Sequence, residues 1–402
     1  MTKKKENKPF KISLSLKRNS DSIINLVVFL LICFGSTMIV STNVGQTTTN
    51  SMVVLNTFVR QIIYVGLSYL CMYLINRFFS LERYGMFKFI ILPAAAFALG
   101  ITQFFAESGG SKSWIRIGGF SIQLAEFVKP LVAVMIAYAV FSVKNRPKKL
   151  KNFKSLYGKT IAWIFVFLLE IFFQKDIGTL TIVFMISFVC LLTVDFPSIR
   201  KTTRNLKRLF FAGVMIILIF FCFTDIGTNI IAQTPFSHIA TRFRNMKNPY
   251  DDVYQEGYQP ANALYGIANS EIIGQGIGNS MRKYGYLTQA DNDYIFAVMI
   301  EETGIFGLFI LVILYGILFF KLFYYAFKTN NLAYKVILTG NATYLFMHFF
   351  LNVGGVTCLI PMTGVPLLFI SSGGSALMAI CIMIGISQNC ISDIRNNELK
   401  KG

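Results

Sequence analysis

Four carboxylates stand at the edge of a long apolar segment, in the sequence GYLTQADNDYIFAVMIEETG. Asp291 and Asp293 begin the segment, and Glu301 and Glu302 follow about two helical turns later. Because a charged side chain in hydrocarbon costs at least about 2.5 kcal/mol, such residues are expected to serve a function. Asp293 and Glu301 are about 12 Å apart along a helix, which is too far for a glycosidase carboxylate pair at roughly 5 to 9.5 Å. One carboxylate that acts alone fits better, although Asp293 could also cap a helix.

Basic and acidic residues alternate with apolar ones in a second segment, SKSWIRIGGFSIQLAEFVKP. Lys112 and Arg116 precede an apolar run in which Glu126 and Lys129 are three residues apart, and therefore on one face of a helix. Two interpretations remain open. The pair could be a buried Glu–Lys contact that locks the helix, or it could form the polar wall of a cavity that binds an anionic ligand.

Two further segments combine polar residues with helix-breaking ones. In FQKDIGTLT, Asp176 could cap the next helix, which does not exclude a role in a site. In LIPMTGVPLLFISSGGSALMA, the prolines and glycines predict a broken or kinked helix. Irregular backbone at membrane depth survives only where protein or a cavity satisfies it. Gly373 and Gly374 could equally allow close packing of helices.

The composition indicates the class of protein to which these groups belong. Of 402 residues, 54% are hydrophobic and 14% are charged, whereas a soluble domain has about 25% charged residues. The sequence therefore predicts an all-α polytopic membrane protein.

Runs of apolar residues long enough to cross a bilayer predict ten transmembrane helices near residues 22–41, 58–76, 86–106, 123–143, 157–174, 177–195, 208–225, 293–324, 334–352 and 364–390. Only QKDIG separates the fifth and sixth, which predicts a tight hairpin or a broken helix.

The net charge of +19 is distributed in clusters rather than along one surface. Seven Lys or Arg lie in residues 1–20, seven between Lys144 and Lys159, and five between Arg200 and Arg208. Because the apolar runs separate these clusters, they fit the positive-inside rule and argue against nucleic-acid binding. The pattern predicts cytoplasmic N- and C-termini.

The predicted organisation is therefore a basic cytoplasmic tail at residues 1–21, a ten-helix membrane domain at 22–392 and a cytoplasmic tail at 393–402. Between spans seven and eight lies one large extracellular loop, 226–292, whose length suggests a function. Its apolar patches, ALYGIA and EIIGQGIG, predict half-helices at the membrane surface. The basic residues on the outer face, in this loop and at Lys112 and Arg116, are exceptions to the charge rule.

The seven cysteines lie mostly in apolar runs without a C-x-x-C pair, and the chain has two histidines, so no soft-metal site is predicted. The cysteines are expected to be small core residues.

Five motifs in order resemble the shape, elongation, division and sporulation (SEDS) family, that of FtsW, RodA and SpoVE, over nearly the whole chain. The first matches at Trp114, Ile115, Gly118, Gln123, Glu126 and Lys129. The second matches at Gln174, Asp176, Gly178 and Thr179. The third, in the long loop, matches at Tyr258, Gln259, Gly274, Gly276, Gly278 and Ser280. The fourth matches at Asp293, Tyr294, Ile295, Phe296, Glu301, Glu302 and Gly304. The fifth matches at Pro361, Thr363, Gly364, Leu367, Phe369, Ile370, Ser371, Gly373, Gly374 and Ser375.

The resemblance implies a peptidoglycan glycosyltransferase that polymerises lipid II at the outer face of the bacterial cytoplasmic membrane, in division, elongation or sporulation. It implies a class B penicillin-binding protein as partner. It implies that Asp293 is the general base. Substrate contacts are expected from Lys112, Arg116, Glu126, Lys129, Asp176, Arg242, Arg244, Tyr258, Gln259, Glu301, Ser371, Gly373 and Gly374. No cofactor is implied, although carboxylates at the site could hold a divalent cation for the pyrophosphate. A lipid II flippase and a non-catalytic scaffold for the penicillin-binding protein are the alternatives.

Overall fold

The computed structural model describes residues 16–17, 19–45, 52–105, 111–117, 120–143, 150, 152–224, 226–234 and 237–399. The helices in these residues are α1 (Ser22–Val44), α2 (Val53–Phe78), α3 (Leu81–Thr102), α4 (Ala125–Phe141), α5 (Phe153–Phe173), α6 (Ile177–Leu192), α7 (Arg200–Leu218), α8 (Ile226–Ala232), α9 (Ser237–Lys247), α10 (Tyr258–Ala268), α11 (Ile295–Lys328), α12 (Leu332–Val356) and α13 (Gly374–Leu399). A π-helical turn, Ile219–Phe223, continues α7. Two short strands, β1 (Trp114–Ile117) and β2 (Phe120–Gln123), form an antiparallel pair. The all-α membrane class is confirmed, with this hairpin as an addition to it.

Ten of the helices overlap the ten predicted spans, in agreement with the expected count. Seven are long and apolar enough to cross a membrane alone, and α7 with its π-turn and α8 would make an eighth, bent by 82°. The remaining two, α4 and α6, have 17 and 16 residues. α13 continues to Leu399, so most of the segment expected to be a C-terminal tail is helical.

Polar side chains stand at the beginning of many of these helices. Asp21, Ser80, Asn152, Asp176 and Asn331 each accept hydrogen bonds from backbone N–H groups in the first turn of the helix that follows. The first backbone N–H groups of a helix have no partner inside it, so these caps satisfy donors that would otherwise be exposed to the membrane interface.

The turn between α5 and α6 decides between the two interpretations of QKDIG, a tight hairpin and a broken helix. Lys175 has a left-handed backbone, φ 59°, and α5 and α6 pack against each other. Asp176 then caps α6 by accepting from the backbone N–H of Thr179 at 2.9 Å. The segment is therefore a tight hairpin.

The centre of the bundle is formed by α4, α6, α12 and α13, while α2 and α3 lie at the periphery. In the apolar windows of α13 and α12, 89% and 72% of residues are buried, against 22% in α2 and 17% in α3. Large side chains such as Phe89 and Phe97 on α3 face outward. The buried helices thus form a scaffold, and the exposed ones present the lipid-facing surface.

Small residues let α13 approach α2 closely. A Cβ atom on Gly374 would overlap the ring of Tyr64, and one on Gly385 would lie 2.6 Å from the carbonyl oxygen of Met72. Of the roles open to Gly374, close helix packing is the one observed.

A break in α11 is the main irregularity of the long helices. Gly304 has φ 63° and ψ −155°, and the helix changes direction there. The long loop satisfies the freed backbone groups: Gln275 N–H donates to Glu301 O at 2.8 Å, Gly276 N–H donates to Glu302 O at 3.0 Å, and Ile305 N–H donates to Ile272 O at 3.0 Å. We call this contact between residues 272–276 and the break the loop clasp.

The loop clasp corrects one expectation for residues 226–292 and leaves another intact. ALYGIA lies in α10, as predicted, but EIIGQGIG forms turns rather than a half-helix. The reason is that Gly274, Gly276 and Gly278 all have positive φ, which brings the loop backbone against α11.

We expect Gly304→Ala to destabilise the protein by about 1–3 kcal/mol, because this backbone conformation is essentially restricted to glycine and a Cβ atom would overlap the carbonyl oxygen of Ile272. Thermal unfolding in detergent would measure the loss, and limited proteolysis would detect earlier cleavage in residues 272–283. The control is Gly316→Ala on the same helix, where a Cβ atom meets nothing within 4 Å. Equal stability of the two variants would contradict the role of the break.

Candidate functional site

A polar cavity of about 400 Å³ lies where α2, the β-hairpin, the α5–α6 turn, α9 and the start of α11 converge. Its ionisable lining residues are Arg60, Arg116, Lys175, Asp176, Arg242, Asp291 and Asp293. The cavity therefore combines four basic with three acidic side chains within the described residues. A second cavity of about 330 Å³ shares Arg242, Asp293 and Gly364 with the first.

The backbone around Asp293 is held by three separate donors. Asn352 Nδ2 donates to the carbonyl of Asp293 at 3.0 Å and to that of Val365 at 2.9 Å. Ser371 Oγ donates to the carbonyl of Asn292 at 2.8 Å, and the N–H of residue 372 donates to the carbonyl of residue 291 at 2.9 Å. Three consecutive carbonyls are therefore fixed, and they hold in place the backbone that carries the Asp293 side chain at the cavity.

The carboxyl group of Asp293 has an unsatisfied oxygen atom. Its Oδ1 has no hydrogen-bond partner among the described residues, and neither does Oγ1 of Thr363, which lines the same cavity. Gly364, with φ 70°, places no side chain beside the carboxylate. Buried polar atoms are normally paired, so these two atoms mark the wall of the cavity as a place for a hydrogen-bonding ligand.

The charge of Asp293 is tuned by its surroundings. The pKa of Asp293 is raised to about 6: burial is the largest cause, the negative charges of Asp291 and Asp176 also raise it, and Arg242 lowers it. The side chain still reaches solvent through the cavity. A carboxylate with a pKa near the working pH is suited to accept a proton from a substrate and to release it afterwards.

The β-hairpin supplies one whole side of the cavity. Trp114 pairs with Gln123 and Arg116 pairs with Ser121, and all four side chains line the cavity. Alternate residues of a strand share a face, so the register alone brings these four together. Gln123 Nε2 also donates to Asp176 Oδ2 at 2.6 Å, which connects the hairpin to the cap of α6.

Glu126 and Lys129 lie outside this lining, and the structure supports the buried-pair interpretation. Lys129 Nζ is 2.5 Å from Glu126 Oε1 and 3.0 Å from His348 Nε2, and neither residue of the pair exposes more than 1% of its side chain. An ammonium can only donate, so Nε2 accepts and the Nδ1–H of His348 donates to the carbonyl of Pro366 at 3.0 Å. Tyr344 OH donates to Glu126 Oε2 at 3.3 Å. The direct substrate contact expected of this pair is thus not seen, because neither residue has an accessible surface.

Other residues expected to contact substrate are distributed around the site rather than within it. The backbone N–H of Lys112 donates to the carbonyl of Gln174 at 3.0 Å, next to the cavity. Arg244 is exposed on α9, two residues from Arg242 and therefore on another face of the helix. Tyr258 begins α10. Gln259 lines the second cavity, where its Oε1 accepts from the N–H of residue 288 at 3.1 Å.

Glu301 and Glu302 hold the long loop instead of facing the cavity. Glu301 Oε2 accepts from Ser280 Oγ and from the N–H of residue 282. Glu302 pairs with Lys283 at 3.0 Å and accepts from Ser41 Oγ at 2.7 Å. Both carboxylates are therefore satisfied, and together with the loop clasp they fix the segment that precedes Asp293. Of the remaining expected residues, Ser371 acts on the backbone as described, Gly373 lines the cavity, and Gly374 packs against α2.

Sequence reasoning missed three contributions to the site. Arg60 and Tyr64 of α2 line the cavity, and Arg60 could have been recognised as a charge inside a predicted span. The hairpin was signalled by two short runs, WIRI and FSIQ, separated by Gly-Gly. Asn352 gave no signal, because an amide within an apolar helix does not reveal which distant carbonyls it binds.

Metal ligands are not grouped here. Among the residues that the structure describes, no set of three or more His, Cys, Asp or Glu side chains could hold a metal ion.

The fold and the cavity define a polytopic α-helical membrane protein with a site that is lined by charged side chains at one end of its helix bundle. The family described as "Cell cycle protein", which comprises FtsW, RodA and SpoVE, matches residues 21–396, and the chain belongs to this family.

Curated relatives and solved structures agree with this membership. The chain is 29% identical over 389 residues to the "Probable peptidoglycan glycosyltransferase FtsW" of Bacillus subtilis (strain 168), covering 96% of this chain and 94% of that protein. It is 30% identical over 308 residues to the protein of the same name from Lactococcus lactis subsp. lactis (strain IL1403), covering 74% and 72%. It shares its fold with Thermus thermophilus RodA, at a TM-score of 0.62 and 20% identity, covering 94% and 98%. A chain described under "Structural coordination of polymerization and crosslinking by a peptidoglycan synthase complex" gives a TM-score of 0.70 at 22% identity, covering 94% and 99%.

We expect Lys129→Met to destabilise the protein by about 3–5 kcal/mol, because it leaves the carboxylate of Glu126 buried without its cation. The double variant Glu126→Gln/Lys129→Met removes both charges and should recover a large part of that loss. Thermal unfolding of Lys129→Met, Glu126→Gln and the double variant would measure the coupling, with Lys207→Met on the exposed surface of α7 as the control. Strictly additive effects would show that the pair is not coupled.

Proposed function

We propose that this protein is a peptidoglycan glycosyltransferase that polymerises lipid II, and that Asp293 is its general base. The observation that carries the proposal is the Asp293 carboxylate, which has a pKa of about 6 and an unpaired Oδ1 and faces a cavity lined by arginines. The family membership and the names of the relatives support the same reaction. The cavity is proposed to open at the outer face of the cytoplasmic membrane.

In the proposed reaction, a hydroxyl of the acceptor sugar attacks the anomeric carbon of the donor. Asp293 takes the hydroxyl proton as the new C–O bond forms, and a general base of this kind contributes about 10² to 10⁴ in rate. The bond from the anomeric carbon to the pyrophosphate breaks, and its electron pair remains on the phosphate oxygen. Protonated Asp293 then releases its proton to solvent through the cavity.

The leaving pyrophosphate gains negative charge as the bond breaks, and positive groups at the cavity would stabilise it. Arg60, Arg116 and Arg242 come from three different elements, namely α2, β1 and α9, and all line the cavity. Guanidinium groups bind phosphate oxygens in a bidentate manner. Lys112 remains a candidate, since its backbone is fixed at the rim of the same cavity.

Transport of the lipid-linked substrate across the membrane is the less favoured alternative function. Such a protein needs a polar path that continues towards the opposite face of the membrane. Among the described residues, the buried network of Glu126, Lys129 and His348 lies in the packed core between α4 and α12, and none of the three is accessible. The polar groups of the cavity are concentrated instead at one end of the bundle, as an enzyme acting at one face requires.

The partner is proposed to be a class B penicillin-binding protein, which would cross-link the glycan product. The support is that a chain of the same fold is described in a peptidoglycan synthase complex. The absence of activity in an otherwise intact complex with this partner would favour the scaffold alternative.

We expect Asp293→Asn to reduce polymerisation by about 10²- to 10⁴-fold, since the amide cannot accept the proton. The assay is glycan-ladder formation from purified lipid II by the protein with its penicillin-binding protein, after unfolding temperature and partner binding have been checked. Asp252→Asn, an exposed aspartate of the long loop, is the matched control and should keep full activity. Equal product from wild type and Asp293→Asn would place the base elsewhere, and no product from wild type would reject the enzyme.

The rate should also depend on pH through Asp293. The base must be ionised, so kcat/KM is expected to be constant well above pH 6 and to fall about tenfold per pH unit below it, following the pKa of about 6. Asp291→Asn removes a negative charge that raises this pKa, so the acidic limb of the profile should move to lower pH. An acidic limb that stays in place in Asp291→Asn would contradict the assignment of the base.

A further inference from the structure

A second charged cleft lies at the other end of α11, remote from Asp293. It has a volume of about 760 Å³ and lies between the ends of α11 and α13, beside Asn19. From Gly304 to Lys328, α11 has 24 residue steps, about 36 Å at the usual rise, which exceeds the roughly 30 Å of a bilayer core. The cleft and the candidate active site therefore face opposite sides of the membrane.

Positive charge predominates in this cleft. Lys321, Lys328 and Arg395 line it, together with one carboxylate, Glu398. Lys321 and Lys328 are two turns apart on α11 and so share a face. Asp21 lies behind Lys321, 5% exposed, and is already bound by Tyr325 OH at 2.8 Å and by Lys321 Nζ at 3.1 Å.

The cations of the cleft are held in place, but they can still donate hydrogen bonds to a ligand. Arg395 Nη1 donates to the carbonyl of Ser20 at 3.1 Å, while a guanidinium offers five N–H donors. Lys328 pairs with Glu398 at 3.0 Å, with side chains 39% and 41% exposed. Exposed pairs of this kind contribute little to stability, so a stronger anion can compete with Glu398 for Lys328.

The sequence on either side of the cleft is basic. Residues 1–20 contain seven Lys or Arg and one Glu, and Lys400 and Lys401 follow Leu399 in the sequence. An occupant with charge complementary to Lys321, Lys328 and Arg395 is an anion, and neither flanking segment is acidic.

The walls of the cleft point to an anion that carries hydrocarbon. Phe320 and Leu399 line it with 67% and 72% of their surfaces exposed, and Tyr324 lies beneath the ammonium of Lys328, 5.3 Å from its ring centre. Phe327, one turn further along α11, is 75% exposed. Aromatic residues beside cations are typical of the membrane–water interface.

We propose that this cleft binds the headgroup of an anionic phospholipid. The phosphodiester would lie among Lys321, Lys328 and Arg395, and an acyl chain would lie along the exposed aromatic surface of α11. The site differs from the general attraction of basic loops to a negative membrane, because it is a defined cavity with cations from two helices.

The experiment uses the full chain, purified in detergent and depleted of lipid, and measures binding by native mass spectrometry. The probes are dioctanoyl phosphatidylglycerol, dioctanoyl phosphatidylcholine and glycerol 3-phosphate. We expect phosphatidylglycerol to bind most tightly. Lys328→Gln and Arg395→Gln should each weaken its binding about fivefold, the effect of one basic residue near an anionic lipid. Lys207→Gln removes the same charge from the exposed surface of α7, outside the lining of the cleft, and should change little.

Glu398→Gln separates the proposal from simple damage to the fold. Removing the competing carboxylate should strengthen phosphatidylglycerol binding about fivefold, a gain that misfolding cannot produce. Equal binding of the two phospholipids, an equal loss in Lys207→Gln, or weaker binding in Glu398→Gln would each overturn the proposal. Binding of glycerol 3-phosphate as tight as that of phosphatidylglycerol would also overturn it, in favour of a soluble phosphate ligand.

Discussion

Every backbone polar group in a membrane must find its partner within the protein, and the site depends on this constraint. The described chain leaves regular helix near the site at the break of α11, in residues 361–373 and in the β-hairpin. In each place the freed groups are satisfied by a neighbour: the loop clasp at Gly304, Asn352 and His348 at the carbonyls of Val365 and Pro366, and the paired strands in the hairpin. Two of these irregular segments enclose the polar cavity, and the third fixes the chain that leads into it.

The carboxylates of the protein differ in how completely they are paired. Glu126, Glu301 and Glu302 are buried, and each accepts hydrogen bonds from two or more groups. Removing any of those partners would leave a charge in a region of low dielectric, where it is costly. Asp293 is the exception, since one of its oxygens has no partner in the described part of the chain. The satisfied carboxylates stabilise the framework, and the unsatisfied one is available for chemistry.

The apolar runs predicted ten helices because the bilayer sets one length for a span, and that signal is local. The hairpin in QKDIG and the irregular segment before α13 also follow from local residues, namely a capping aspartate and a run of Pro and Gly. The pairing of distant groups could not be predicted in the same way. The sequence singled out Glu126 with Lys129 by their spacing, but it did not reveal that His348 and Tyr344 complete a network that excludes solvent. It singled out Glu301 as a substrate contact, whereas the partners Ser280 and Arg282 come from a loop whose path depends on glycines with positive φ.

The pairing of Glu301 and Glu302 also bears on how the chain can be assembled during synthesis. The first part of α11 carries Glu301 and Glu302, and each ionised carboxylate would cost about 2.5–3.5 kcal/mol at the centre of a helix entering the bilayer from the translocon. Their partners Ser41, Ser280 and Lys283 all precede them in the sequence, and an N-terminal region emerges from the ribosome first. When the two glutamates leave the ribosome, the groups that neutralise them have already been made. The order of the residues along the chain thus allows this helix to enter the membrane against a surface prepared to receive its charges.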